Sequence, residues 1–251
     1  MILELDRLAL GAEPGAPLPP VSAVAAPGSP GVIAVETEST PTIASLVAGG
    51  RMQAGSGRLL IDGVEDPARV RRSVALVDTP GVAEPFAVMS VRRIIREELA
   101  YAGHRSSRSA VDTVLAELDL EPFADVHIER VPTALRIRML AELALLREGV
   151  EGLVVTSPER HGGSVPAWFA ALRAISERGI AVLIITSAAA AETIAGILAD
   201  TPALPAAPAL PAAPALPVDT RPAHRNEPTL PAAPALPLES AAPSTQESPR
   251  S

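Results

Sequence analysis

The chain has 251 residues with a formal net charge of −8, and apolar residues make up 47% of it while aromatics supply only 2%. That is enough for one α/β domain of about 200 residues plus an extension, with a core built from Ala, Val, Leu and Ile. The absence of cysteine excludes disulfides and Cys-ligated metals, and the acidic balance argues against nucleic acid or an anionic membrane as partner.

Residues 1–12 alternate apolar and acidic (Ile2, Leu3, Leu5, Leu8, Leu10) and predict an edge strand of an antiparallel sheet. Glu4 and Asp6 come early, with no basic n-region, so this start does not read as a secretory signal. Pro14–Pro30 reads as a Pro/Ala/Gly loop. Gly31–Gly57 then organises the chain: a β-branched run (Val32, Ile33, Val35), a polar turn, and a helix ending at Gly49-Gly50. Thr40 suits the helix cap and Pro41 its first position. Strand, turn and helix in that order match a phosphate-cradling unit. The turn Glu36-Thr37-Glu38-Ser39-Thr40-Pro41 holds no glycine and two carboxylates. All 21 basic residues are arginines, so no phosphate-loop lysine exists in any register. On these residues alone, an ordinary strand–turn–helix that never bound phosphate stays open.

Gly57–Gly63 predicts a short strand turning at Asp62-Gly63, Asp66–Arg72 a basic connector, and Ser73–Val77 another strand closed by Asp78-Thr79-Pro80-Gly81. From Ser90 the pattern becomes helical, with Val91, Ile94, Ile95 and Leu99 on one face. A loop at His104–Ser109 precedes a helix at Ala110–Leu118, and a third helix spans Thr133–Leu146. Glu151–Thr156 is strand-like, Val165–Glu177 a helix, Ile180–Ile185 a buried strand and Ala188–Leu198 a helix. Gly179–Ala199 is long enough to cross a bilayer, but its strand-then-helix pattern argues against a span. The order implies an α/β core with an inserted helical subdomain. From Thr201 the chain repeats Leu-Pro-Ala-Ala-Pro-Ala at Leu204–Ala209, Leu210–Ala215 and Leu230–Ala235, and 201–251 holds 13 of the 27 prolines. This composition predicts a disordered, semi-stiff polyproline-II tail.

The order of segments resembles the nucleotide-binding subunit of ATP-binding cassette (ABC) transporters over about residues 1–200. GVIAVETESTPTIASLVAGG stands where that family has Walker A, and GSGRLLIDGVE resembles the strand and turn after it. RRSVALVDTP resembles the approach to the Q-loop, and RVPTALRIRMLAELALL the signature region, with Arg136 and Arg138 at its basic positions. EGLVVTSPE resembles Walker B, and GIAVLIITSA the strand leading to the switch histidine. The resemblance implies a P-loop-nucleotidase-like, mostly parallel sheet with an N-terminal antiparallel part and a helical subdomain at about 88–146, followed by the 201–251 tail.

Every catalytic position departs from the family. The degenerate phosphate loop is Thr37, Glu38, Thr40, Pro41 and Thr42, in a segment about two residues short. Thr79 stands for the Q-loop glutamine, Val131–Leu135 for the signature, Thr156-Ser157 for the Walker B Asp-Glu pair and Ser187 for the switch histidine. Glu38 or Thr40 is expected to satisfy the helix N–H groups in place of phosphate, or else both carboxylates face solvent. His104, His127, His161 and His224 sit in polar contexts and read as surface residues. No catalytic residue, metal or cofactor is therefore expected. The resemblance implies a cytoplasmic subunit, peripheral at the inner face of the membrane without inserting into it, that docks on a permease or on a second ABC subunit. An active ABC ATPase with divergent motifs, binding ATP and Mg²⁺, is one alternative. A free-standing interaction protein that recruits partners through its proline-rich tail is the other.

Overall fold

The structure, a computed structural model, describes residues 1–11, 13, 15–35 and 40–200. The tail from Thr201 and the turn residues Glu36, Thr37, Glu38 and Ser39 lie outside the described residues.

The first layer is a three-stranded antiparallel sheet of β1 (Leu3–Leu10), β2 (Leu18–Ala25) and β4 (Ser56–Ile61), in the order β2-β1-β4. Two expectations change here. The first strand is central, because β4 arrives from beyond the next helix and pairs its second edge. The Pro14–Pro30 stretch is not all loop: nearly half of it is β2. Pro19 and Pro20 are tolerated there because β2 is an edge strand and needs ladder donors on one side only. The register between β1 and β4 shifts after Asp6, where Arg7 has φ 47°. Opposite this bulge a Cβ on Gly57 would lie 2.2 Å from the Arg7 carbonyl oxygen, so only glycine fits.

The second layer is a four-stranded parallel sheet: β3 (Gly31–Ala34), β5 (Val74–Val77), β6 (Gly152–Thr156) and β7 (Ala181–Thr186), in the order β3-β7-β6-β5. Strands buried on both faces need continuous apolar runs, and β5, β6 and β7 are buried throughout. Side-chain alternation sends Val74, Leu76, Val154, Leu183 and Ile185 to the antiparallel layer and α1 (Thr40–Ala48). It sends Val77, Leu153, Val155, Val182 and Ile184 to the opposite side.

That opposite side is covered by helices. α3 (Val91–Tyr101), α4 (Arg108–Glu117), α5 (Thr133–Leu145), α6 (Val165–Glu177) and α7 (Ala188–Asp200) all contribute to its core. Val91, Ile94, Ile95 and Leu99 of α3 are all buried, as their spacing requires. The sole tryptophan, Trp168 on α6, is fully buried. The expected connector at Asp66–Arg72 is instead a helix, α2 (Pro67–Ser73). Asp66 caps it by accepting from the Arg69 N–H (2.9 Å), and Pro67 occupies its first turn. Among the described residues no helix is long and apolar enough to cross a membrane.

Candidate functional site at the carboxyl ends of the parallel strands

In an open parallel sheet the carboxyl ends of the strands and the loops that follow them are where ligands are held. Here Asp78-Thr79 follows β5, Ser157 follows Thr156 at the end of β6, Ser187 follows Thr186 at the end of β7, and β3 leads toward α1. The sheet register sets Val77 beside Val155 and Thr156 beside Ile185, so these ends form one row.

Three hydroxyls form a buried chain across that row. The Ser45 hydroxyl on α1 donates to the Pro41 carbonyl (2.8 Å), so its contact with Thr156 (2.6 Å) uses the Thr156 proton. The Thr79 hydroxyl then donates to the Thr156 oxygen (2.8 Å). One proton per hydroxyl fixes this direction. Thr156 and Thr79 are thus brought together with a residue, Ser45, that the sequence marks only as part of a helix.

Beside the chain lies a charged cluster centred on Asp78, which is fully buried and has φ 55°. Its Oδ1 faces Nη2 of Arg136 at 2.6 Å and Nη2 of Arg160 at 3.1 Å. Its Oδ2 accepts from Nε of Arg136 (3.2 Å) and from Nε2 of His161 (2.8 Å). Three hydrogen bonds, two from Arg136 and one from His161, take most of the carboxylate's about four lone-pair positions, while Nη2 of Arg160 adds charge as an ion pair without a hydrogen bond. Burial pushes this carboxyl up, but the His161 imidazole, the Arg136 fork and the Arg160 charge outweigh it and hold it down at about 2. Glu84, 3.1 Å from Arg160 and 3.8 Å from Arg136, supplies the second negative charge.

The loop after β6 builds the rest. Ser157 is left-handed (φ 44°) and turns the chain into a single turn of 3₁₀ helix, Pro158–His161. This aims Arg160 back at the Thr156 carbonyl (2.7 Å) and at Asp78, and His161 at Asp78. Glu159 points the other way. It accepts from the Thr186 hydroxyl and from the Ser187 N–H, both at 2.7 Å. Ser187 in turn caps α7, its hydroxyl accepting from the Ala190 N–H (3.3 Å).

The remaining sequence-marked residues fall as follows. Thr40, Pro41 and Thr42 form the first turn of α1, with Thr40 buried. Thr37 and Glu38 lie outside the described residues, as does the expectation that Glu38 caps that helix. In the segment Val131–Leu135, Thr133 turns inward and its hydroxyl donates to the His161 and Gly162 carbonyls (3.1 and 2.9 Å). Arg136 follows it into the core, only 2% exposed, whereas Arg138 meets Asp119 at the surface (3.4 Å). His161 overturns the reading of the histidines as surface residues: it is half-buried and bonded to Asp78. His127 is exposed, His104 meets the Leu146 carbonyl (3.1 Å), and His224 is not described.

Asp78, Glu84 and His161 offer three ligand atoms within 4.8 Å of one another, the one such group among the described residues. Two guanidinium ions already sit on these carboxylates, so a divalent cation would have to displace or repel them. The hydroxyl chain is no better placed. Its oxygens carry no charge and bond to one another, whereas Mg²⁺ is held through carboxylates and phosphates in octahedral geometry. The described residues do not fit a magnesium ion.

No protein-family model and no curated protein matches this sequence. Solved structures do match. The bacterial ABC transporter cassette MJ0796, solved as a dimer, aligns at TM-score 0.53 and 15% identity, over 73% of this chain and 87% of that one. The protein cbiO1 from Clostridium perfringens, part of the ABC transporter complex cbiONQ, aligns at TM-score 0.53 and 18% identity, over 74% and 78%. The fold is that of ABC transporter ATP-binding cassettes. A nucleotide-free ATP-binding cassette gives the same picture, at TM-score 0.53 and 17% identity over 74% of this chain and 81% of that one.

Proposed function

We propose that this chain is a degenerate cassette subunit of an ABC-type transport system, one that docks or regulates and does not hydrolyse ATP. The observation that supports this best is the internally bonded network at the strand ends. A cassette that turns over ATP needs unspent donors and a metal there to neutralise the triphosphate. In this chain the Asp78 carboxylate already engages Arg136, Arg160 and His161, and Ser45, Thr79 and Thr156 hydrogen-bond one another. Neither a nucleophile-activating base nor a magnesium ligand is free among these groups.

The partner in this reading is a membrane permease at the cytoplasmic face, with a second cassette subunit completing the assembly. The contact would run from the loop after β5 into the helical subdomain at about 88–146. That loop carries Val82, Phe86 and Val88 exposed by 50, 79 and 68%. Three large apolar side chains within one short surface loop suit a protein contact better than solvent. Phosphate release from ATP-Mg by the purified chain tests the proposal. Release no faster than from a heat-inactivated sample is expected, and turnover above that level would overturn it.

A further inference from the structure

The carboxyl end of α1 meets α2 at the edge of the parallel sheet where β5 begins, away from the strand ends that carry Asp78 and Thr156. The chain turns there through Gly49-Gly50-Arg51, and two consecutive carbonyls hold two guanidinium groups. Arg51 donates from Nη1 to the Gly49 carbonyl (2.6 Å) and from Nη2 to the Val74 carbonyl (2.8 Å), and Arg71 donates from Nη1 to the Gly50 carbonyl (3.1 Å). The two glycines make room for this. A Cβ on Gly49 would lie 2.8 Å from Nη1 of Arg51, and one on Gly50 would lie 2.9 Å from the Pro67 carbonyl of α2. A further cation, Arg147, is near: its guanidinium carbon sits 4.6 Å over the exposed Tyr101 ring, and its Nη2 meets Glu98 at 2.7 Å. Burial first, then the charge of Arg147 and more weakly that of Arg71, pull the Arg51 guanidinium below its ordinary basicity, with Tyr101 opposing. We propose that this cluster is a binding site for a small phosphate-bearing dianion, held by Arg51 and Arg71 with Arg72 beside them.

Charge, hydrogen bonding and rigidity favour that ligand. Among the described residues no carboxylate lies within ion-pair distance of Arg51, Arg71 or Arg72. The carboxyl ends of α1 and α2 supply at most roughly half a negative charge each against three guanidinium charges, which leaves a surplus of about two. A phosphomonoester carries about −1.5 to −2 at neutral pH and would balance it, whereas a lone carboxylate would leave about one charge uncovered. A guanidinium presents five N–H donors in a planar fork. Arg51 spends two of them on carbonyls and Arg71 one, and both side chains are exposed, so donors remain that can reach a tetrahedral oxyanion. Because the Gly49, Gly50 and Val74 carbonyls already fix both groups, little side-chain freedom is lost when an anion binds. The net charge of −8 over the whole chain repels a polyanion, which restricts the site to a small ligand. Phosphate uptake here is independent of ATP hydrolysis at the strand ends.

Inorganic phosphate titrated into the full-length chain at low salt tests this, followed through the amide shifts of Gly50 and Arg51. Saturable shifts are expected. Arg71→Gln should weaken binding about ten-fold, the worth of one charge-assisted hydrogen bond, while Arg130→Gln, at a surface arginine of the 3₁₀ turn Ile128–Arg130, should leave it unchanged. The fluorescence of the buried Trp168 shows whether each variant is folded. Should Arg71→Gln fail to fold, Arg72→Gln keeps the test open, because it removes an exposed charge in the last turn of α2; it should weaken binding several-fold. Shifts that do not saturate, or equal affinity in the native chain and the folded arginine variants of the cluster, would overturn the proposal. So would binding to vesicles containing phosphatidic acid with none of free phosphate, because the partner would then be a membrane surface.

Discussion

Replacing Asp78 by Asn tests the cluster on which the site depends. The substitution keeps the shape of the side chain but removes the charge that two guanidinium ions and an imidazole share. Arg136 is 2% exposed, and its other partners are the Ile128 carbonyl at 3.5 Å and Glu84 at 3.8 Å, too distant to compensate. Breaking a buried pair from one side costs about 3–5 kcal/mol, because the surviving charge stays buried without its partner. For a domain of this size each kcal/mol lowers Tm by roughly 2–4 °C, so a fall of about 6–20 °C is expected. The loss also has a pH signature. The carboxyl is more acidic in the folded chain, about 2 against an ordinary 3.8, so its stabilisation is complete above about pH 4 and is lost as pH falls toward 2. That part amounts to about 2 kcal/mol at 1.36 kcal/mol per pH unit. Urea unfolding followed by the fluorescence of the buried Trp168 measures both. The gap between native protein and variant should narrow as pH falls below about 4 toward 2. A variant within 1 kcal/mol of the native protein at neutral pH would refute the reasoning.

Three further outcomes follow from the same geometry. Thr156→Val removes the middle of the hydroxyl chain, leaving the Thr79 proton without its acceptor and Ser45 without its donor; a loss of about 1–3 kcal/mol in urea unfolding is expected. Gly57→Ala sets a Cβ against the Arg7 carbonyl at a backbone φ of +81°, and should lower stability by about 1–3 kcal/mol, read as a drop in Tm. Phe86→Ser exposes less apolar surface and breaks no core contact, so Tm should hold within a degree or two while co-purification with a permease partner falls.

Much of the fold was legible because burial imposes period. The α3 stripe, the β-branched run of β7 and the strand–helix order of 151–200 follow from side chains facing a core on one side or both. Where the reading failed, a non-local partner decided the structure. β2 was masked by Pro19-Pro20, which an edge strand accepts once β1 pairs its other side. α2 was hidden by its arginines, although Asp66-Pro67 carries a helix-start signal and only Val70 is buried. At the site, Thr79, Thr156 and Ser187 could be placed by segment order, because each ends a strand. Asp78, Arg160 and Glu159 were not singled out, and His161 was read as exposed, because its neighbours Arg160 and Gly162 are surface types. Its burial comes from Asp78, 83 positions away. A short polar run directly after a buried strand is the one local signal that marked these residues.

The most direct test of the account is a calorimetric titration of the intact, purified chain with ATP-Mg. A site whose carboxylate is held by Arg136 and His161 and whose hydroxyls bond one another should release no binding heat and leave the Tm unchanged at millimolar nucleotide. Saturable, magnesium-dependent binding with a rise in Tm would contradict it.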